Sequence, residues 1–209
     1  MEVLINNRQK KVKINTRRIR AIALEIMKFE GLPDHVELSV VFCDDDFIQK
    51  LNNQYLGHNR PTDVLSFPIE EEEFDGEVRV LGDVVISVET ACQQAEEHKH
   101  PVELEMVFLL THGLLHLTGY DHTRKAALLV MKEREETICQ LLSEKKLLKD
   151  LEQHKKVPLI KRCVDDSKKA KKNGRVAGNG NGNGNENADD EQAENDDSAD
   201  GDVSKRTKN

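Results

Sequence analysis

The four cysteines, Cys43, Cys92, Cys139 and Cys163, are widely scattered and form no Cys-x-x-Cys pair. That excludes a cysteine zinc knuckle and argues against a disulfide framework. Long apolar runs are also missing. Val3-Leu4-Ile5 is too short for the apolar core of a signal peptide. No stretch approaches the roughly 20 apolar residues needed to span a bilayer. A reducing cytoplasm is the address these absences predict.

Large apolar residues become rare after about Lys155, where the chain passes through an alternating Gly-Asn tract (178–185) into the acidic run Ala188-Asp189-Asp190-Glu191. Such a composition buries too little apolar surface to offset its ordering entropy. The expected organisation is therefore one domain over residues 1–154, followed by a disordered polar tail over 155–209. The net charge of −8 sits mainly in the body, because Ser167 to Asn209 carry eight Lys/Arg against nine Asp/Glu. An acidic domain does not advertise a polyanionic partner. Acid is nevertheless absent from Arg8 to Arg20, which holds Arg8, Lys10, Lys11, Lys13, Arg17, Arg18 and Arg20. That stretch is either a solvated helix face or a local patch that meets phosphates.

What is present is a mixture of helical and strand patterns. Val3–Ile5 predicts a short strand. Ile19, Ile22, Ala23, Ile26 and Met27 have helical spacing within Asn15–Glu30, closed by Gly31 and Pro33. Val36–Phe42 predicts a strand, and Asp44-Asp45-Asp46 predicts the capped start of a helix. A polar turn over Tyr55–Pro61 leads to a brief strand, Asp63–Pro68, and the acidic run ending in Asp75-Gly76 predicts a loop or hairpin turn. A strand over Val78–Val88, interrupted at Gly82-Asp83, is followed by helices over Thr90–His98, Val102–Leu117 and from about Thr123 to the Leu147-Leu148-Leu151 region. The fold class is α+β, a small mixed sheet packed with about five helices.

The most informative segment is Thr111-His112-Gly113-Leu114-Leu115-His116-Leu117-Thr118-Gly119-Tyr120-Asp121-His122. On a helix, His112 and His116 lie one turn apart on one face. Gly119 can take the left-handed conformation that ends a helix and turns the chain, bringing back His122. The result is His-x-x-x-His-x-x-Gly-x-x-His, the ligand spacing of zincin-type metal sites. Three imidazoles with an open fourth position describe a catalytic rather than a structural zinc. Gly113 stands where metalloproteases of this spacing carry a glutamate general base. Ordinary peptide hydrolysis is therefore disfavoured, while activation of a bound water and stabilisation of charge on a carbonyl or phosphoryl oxygen remain open.

Together with Pro61-Thr62-Asp63-Val64-Leu65-Ser66-Phe67-Pro68 and Leu81-Gly82-Asp83-Val84-Val85-Ile86-Ser87, this motif resembles the YbeY-type endoribonucleases over about residues 1–150. The resemblance implies one zinc ion on His112, His116 and His122. It also implies a cleft facing single-stranded regions of ribosomal RNA, with the ribosome or small-subunit proteins as partners. The implied roles are ribosomal RNA maturation and ribosome quality control. Alternatives are a metallohydrolase of peptides or small molecules, and a ribosome-assembly binding protein with structural zinc. The family commonly has arginine after the aromatic residue where this chain reads Tyr55-Leu56-Gly57. Arg60 is the candidate replacement, or else an ordinary loop cation. Asp63 and Asp83 are candidates to orient a ligand histidine or to cap turns, and Asp121 to orient His122 or to sit in its turn. His58 is expected in solvent, with proton transfer as its alternative role. His98 and His100 are expected at the surface, and Leu147, Leu148 and Leu151 in the core, with a partner-docking stripe as the alternative.

Overall fold

A computed structural model of the protein describes residues 1–69, 78–149 and 151. The expected acidic turn near Asp75-Gly76 and the expected tail beyond Lys155 lie outside these residues. Four strands and five helices are described: β1 (Glu2–Asn7), α1 (Thr16–Phe29), β2 (Val36–Cys43), α2 (Asp45–Leu56), β3 (Val64–Pro68), β4 (Arg79–Ser87), α3 (Val88–His98), α4 (Val102–Leu117) and α5 (Lys125–Glu144). The α+β expectation is met.

The sheet runs β1-β2-β4-β3. β1 and β4 both lie parallel to β2, and β3 returns antiparallel along β4 as an edge strand. The expected break at Gly82-Asp83 is a register shift inside one continuous strand, where Glu37 pairs Val80 and Leu38 pairs Gly82. The helix boundaries follow the capping chemistry. The side chain of Asn15 accepts from the Arg18 N–H to open α1, and that of Asp44 accepts from the Phe47 N–H to open α2. α2 continues to Leu56, so Tyr55 and Leu56 belong to the helix rather than to a turn.

Position in the fold explains the unusual composition of α4. α1 is amphipathic and buries one stripe, Ile19, Ile22, Ala23, Ile26 and Met27. α4 buries residues around most of its circumference, including Leu104, Met106, Val107, Leu110, Leu114 and Leu115, as a helix enclosed by other elements must. It packs on β3 and β4 and against α1, α3 and α5. Gly113 allows the close approach to the sheet. A Cβ there would stand 2.7 Å from Val84 Cγ1 and 3.0 Å from Ser66 Oγ. Ser66 Oγ donates to the Gly113 carbonyl at 3.0 Å, fixing the helix over β3. Leu148 and Leu151 are buried and Leu147 packs against the core, as expected.

Candidate metal centre

α4 presents His112 and His116 from its last two turns, and the following turn supplies His122. The backbone of α4 ends at Leu117, and Gly119 takes φ +94°, a value disfavoured for residues with a Cβ. Tyr120 N–H then bonds back to the Leu115 carbonyl at 3.0 Å, holding the reversal. His112 Nε2 and His116 Nε2 lie 3.1 Å apart. One ligand atom from each of the three histidines falls within 4.8 Å of the others. Nitrogens at about 2.0–2.1 Å from a tetrahedral zinc would be a little over 3 Å apart, so the cluster fits one ion with little rearrangement.

The orientation of two rings is fixed from behind. His112 Nδ1 faces Glu135 Oε1 at 2.8 Å, and His116 Nδ1 faces the Tyr120 carbonyl at 2.9 Å. With a proton on each Nδ1 directed at those acceptors, both Nε2 lone pairs are left for a cation. Burial holds the His116 imidazole below its ordinary pKa, and the neighbouring His112 and His122 push in the same direction. Both effects favour the neutral ring that a metal needs.

Glu135 was not singled out from the sequence, although a signal exists. α5 buries Met131, Ile138 and Leu142, and Glu135 falls on that same stripe, one turn from Met131 and just under one from Ile138. An acid in a core stripe needs a buried partner. Its neighbour Arg134 anchors the helix by pairing with Glu30 Oε1 at 2.8 Å and stacking 4.1 Å over the Phe29 ring.

In front of the histidines lies an open cleft of about 600 Å³. Its walls include Thr62–Ser66 and Pro68 from the β3 side, Gly119–His122 from the turn, and Leu56 from the end of α2. The remaining sequence candidates sort clearly. Asp63 lines the cleft, but its carboxylate is engaged by Thr62 Oγ1, the Val64 N–H and Gln94 Nε2, the last at 2.8 Å. Asp121 accepts from both the N–H and Oγ1 of Thr123, so it sits in the turn that leads to α5. Those bonds lower its pKa. Asp83 sits in β4 opposite Phe67 and does not line the cleft. His58 is exposed, and so is Arg60, whose carbonyl accepts from Asn52 Nδ2 at 2.8 Å. Arg60 is not among the cleft-lining residues, whereas Leu56 is.

Two expectations need revision. Much of the Arg8–Arg20 stretch is tied to the fold. Arg8 stacks 4.1 Å over Phe47, Lys11 pairs with Glu89 at 3.1 Å, Arg18 meets Glu103 at 3.6 Å, and Arg20 Nε donates to the Val3 carbonyl at 3.0 Å. None of its basic residues lines the cleft. The second revision concerns His98 and His100, which are not surface residues. Their side chains are only 16% and 4% exposed, and both face the fully buried Glu105. The chain turns inward at Lys99, which takes φ +59°, a reversal that the polar local sequence does not announce.

A mixed sheet packed by a helix that bears two imidazoles, with a third from the following turn at an open cleft, defines a class of candidate metal-centred enzymes. Comparison with known proteins narrows that class. Residues 4–143 match the family model described as Endoribonuclease YbeY. A protein of that name from Geobacter sulfurreducens is 48% identical over 140 residues, covering 65% of this chain and 93% of its own. One from Alkaliphilus oremlandii is 46% identical over 148 residues, covering 68% and 98%. A third, from Thermoanaerobacter pseudethanolicus, is 40% identical over 156 residues, covering 68% and 98%. The chain belongs to the YbeY endoribonuclease family.

Proposed function

We propose that this protein is a zinc-dependent, single-strand-specific endoribonuclease that acts on ribosomal RNA during its maturation and in ribosome quality control. The observation that carries the reading is the convergence of His112, His116 and His122 at the wall of an open cleft, with two of the three rings oriented from behind. The three imidazoles would hold a divalent ion, which when bound would supply positive charge for the non-bridging oxygens of a phosphodiester. Attack by water and attack by the RNA's own 2′-hydroxyl are both compatible with that role.

The chain's own residues do the rest. Glu135 and the Tyr120 carbonyl hold two imidazoles in the ligating tautomer. Thr62 to Ser66 form a wall against which a single strand can lie. Gly113 offers no proton acceptor, and its packing against Val84 leaves no space for a glutamate side chain. That disfavours the metalloprotease mechanism and suits phosphodiester chemistry. Arg60, exposed on the loop after α2, is the candidate phosphate contact. No helix among the described residues is long and apolar enough to cross a membrane; the cytoplasm is the proposed location.

The test pairs bound-metal content with cleavage of a structured ribosomal RNA fragment, comparing wild type with His116→Ala. Near-stoichiometric zinc and metal-dependent cleavage, both lost in a still-folded variant, are expected. Zinc without cleavage at any salt concentration moves the site to a ribosome-binding role or another substrate. Absence of metal from wild-type protein prepared without chelators overturns the reading.

A further inference from the structure

The corner between α3 and α4 holds a second group of metal-ligating side chains. His98 is the last residue of α3, and Pro101 opens α4. Glu105 lies in the first turn and a half of α4, with its side chain fully buried. His100 Nε2 stands 3.0 Å and His98 Nδ1 3.6 Å from the same oxygen, Glu105 Oε2. One donor atom from each of the three residues lies within 4.8 Å of the others.

The hydrogen-bond pattern constrains what sits between them. His100 Nδ1 lies 3.1 Å from the Pro101 carbonyl, which can only accept, so Nδ1 carries the proton. In the neutral ring Nε2 is then a lone pair, facing a carboxylate oxygen that is also an acceptor. Two acceptors 3.0 Å apart need either a proton on one of them or a cation between them. His98 breaks the tie. Its Nδ1 is buried, finds no hydrogen bond among the described residues, and points at the same oxygen from just beyond hydrogen-bonding range. A proton on His100 satisfies one imidazole. A metal ion satisfies both imidazoles and the carboxylate at once.

The surroundings suit a cation. The C-terminal end of α3 presents carbonyls, and its negative dipole end favours positive charge beside His98. Two imidazoles and one carboxylate are borderline donors, a set that suits zinc and neighbouring first-row divalent ions rather than calcium or magnesium. Glu105 and His112 are seven residues apart on α4, or about 10 Å along the axis, so one ion cannot serve both groups.

We propose that His98, His100 and Glu105 form a second divalent transition-metal site, separate from the His112–His116–His122 centre, that clamps the α3–α4 corner. Its enclosure points to a structural role: the ion ties the end of one helix to the first turns of the next.

The experiment uses the full chain in a His112→Ala/His116→Ala background, which disables the first centre. Zinc is titrated with a chromophoric competitor, and cobalt uptake is followed by visible absorption. One tight equivalent of zinc, a cobalt spectrum and a zinc-dependent rise in Tm are expected. All three should be lost on adding Glu105→Gln, which keeps the shape of the side chain. Should Glu105→Gln fail to fold, His98→Gln is the replacement, because His98 is the most exposed of the three. It leaves the His100–Glu105 contact in place and should weaken zinc binding at least tenfold. No tight equivalent in the double-alanine background overturns the proposal, leaving a protonated His100–Glu105 pair. Zinc binding that is indifferent to both the Glu105 and His98 substitutions overturns it equally.

Discussion

Glu135 Oε1 stands 2.8 Å from His112 Nδ1, joining α5 to the histidine-bearing side of α4 across 23 residues of sequence. The carboxylate fixes which nitrogen of His112 carries the proton and where the ring points. Glu135→Ala should therefore weaken metal affinity by about 10- to 100-fold while leaving the fold intact. Glu135→Gln, which still accepts from Nδ1, should fall between. Zinc competition against a chromophoric chelator reads both, and equal affinities for all three proteins would remove Glu135 from the centre.

Gly113 makes the opposite kind of prediction, one about space. Its would-be Cβ meets the branched Val84 side chain at 2.7 Å, and overpacking of that kind typically costs about 1–3 kcal/mol. Gly113→Ala should lower Tm, and Gly113→Glu should lower it further without creating peptidase activity. Chemical denaturation of both variants, with a casein digestion assay on the second, checks this.

Leu56 lines the cleft and is 57% exposed. Leu56→Arg should place a cation at the mouth, tighten binding of single-stranded RNA, and steepen the dependence of log K on log salt by about 0.7. Arg60→Ala should move both quantities the other way if Arg60 contacts phosphate. Fluorescence anisotropy at three salt concentrations measures them, and an unchanged slope in Arg60→Ala would return that residue to an ordinary loop cation.

Cys43 gives a prediction in the alkaline range. Burial, reinforced by the nearby Asp44 carboxylate, pushes its thiol up to about 12. An unfolded cysteine ionises near 8.5, so above that pH the unfolded chain loses a proton that the folded chain keeps. This part of the stability is therefore present at neutral pH and declines as pH climbs from about 9 toward 12. Cys43→Ala should flatten that decline in urea midpoints measured between pH 8 and 10.5. Native Cys43 should also resist iodoacetamide until the protein is unfolded.

Much of this was legible in the sequence because the signals were local. The i, i+4 histidines, the glycine three residues on and the returning third histidine are all read from twelve consecutive residues. The helix starts at Asn15 and Asp44 are likewise short-range capping chemistry. What escaped depends on packing between distant segments. Glu135 reaches His112 from a helix held in place by its buried Met131, Ile138 and Leu142 and by the Arg134 contacts with Glu30 and Phe29 at the end of α1. His98 and His100 sit in the polar run Glu96-Glu97-His98-Lys99-His100, which reads as surface until the backbone at Lys99 turns it inward onto Glu105. The contacts of Arg8 with Phe47 and of Arg20 with the Val3 carbonyl likewise join distant segments.

His116 differs from His112 in what orients it, because its partner is the backbone carbonyl of Tyr120. A single codon change can reach Glu135 and so retune His112, but no codon change at position 120 can delete a peptide oxygen. The two rings are therefore unequally exposed to genetic drift. One can be adjusted by degrees, while the other changes only if the turn through Gly119 is rerouted as a whole.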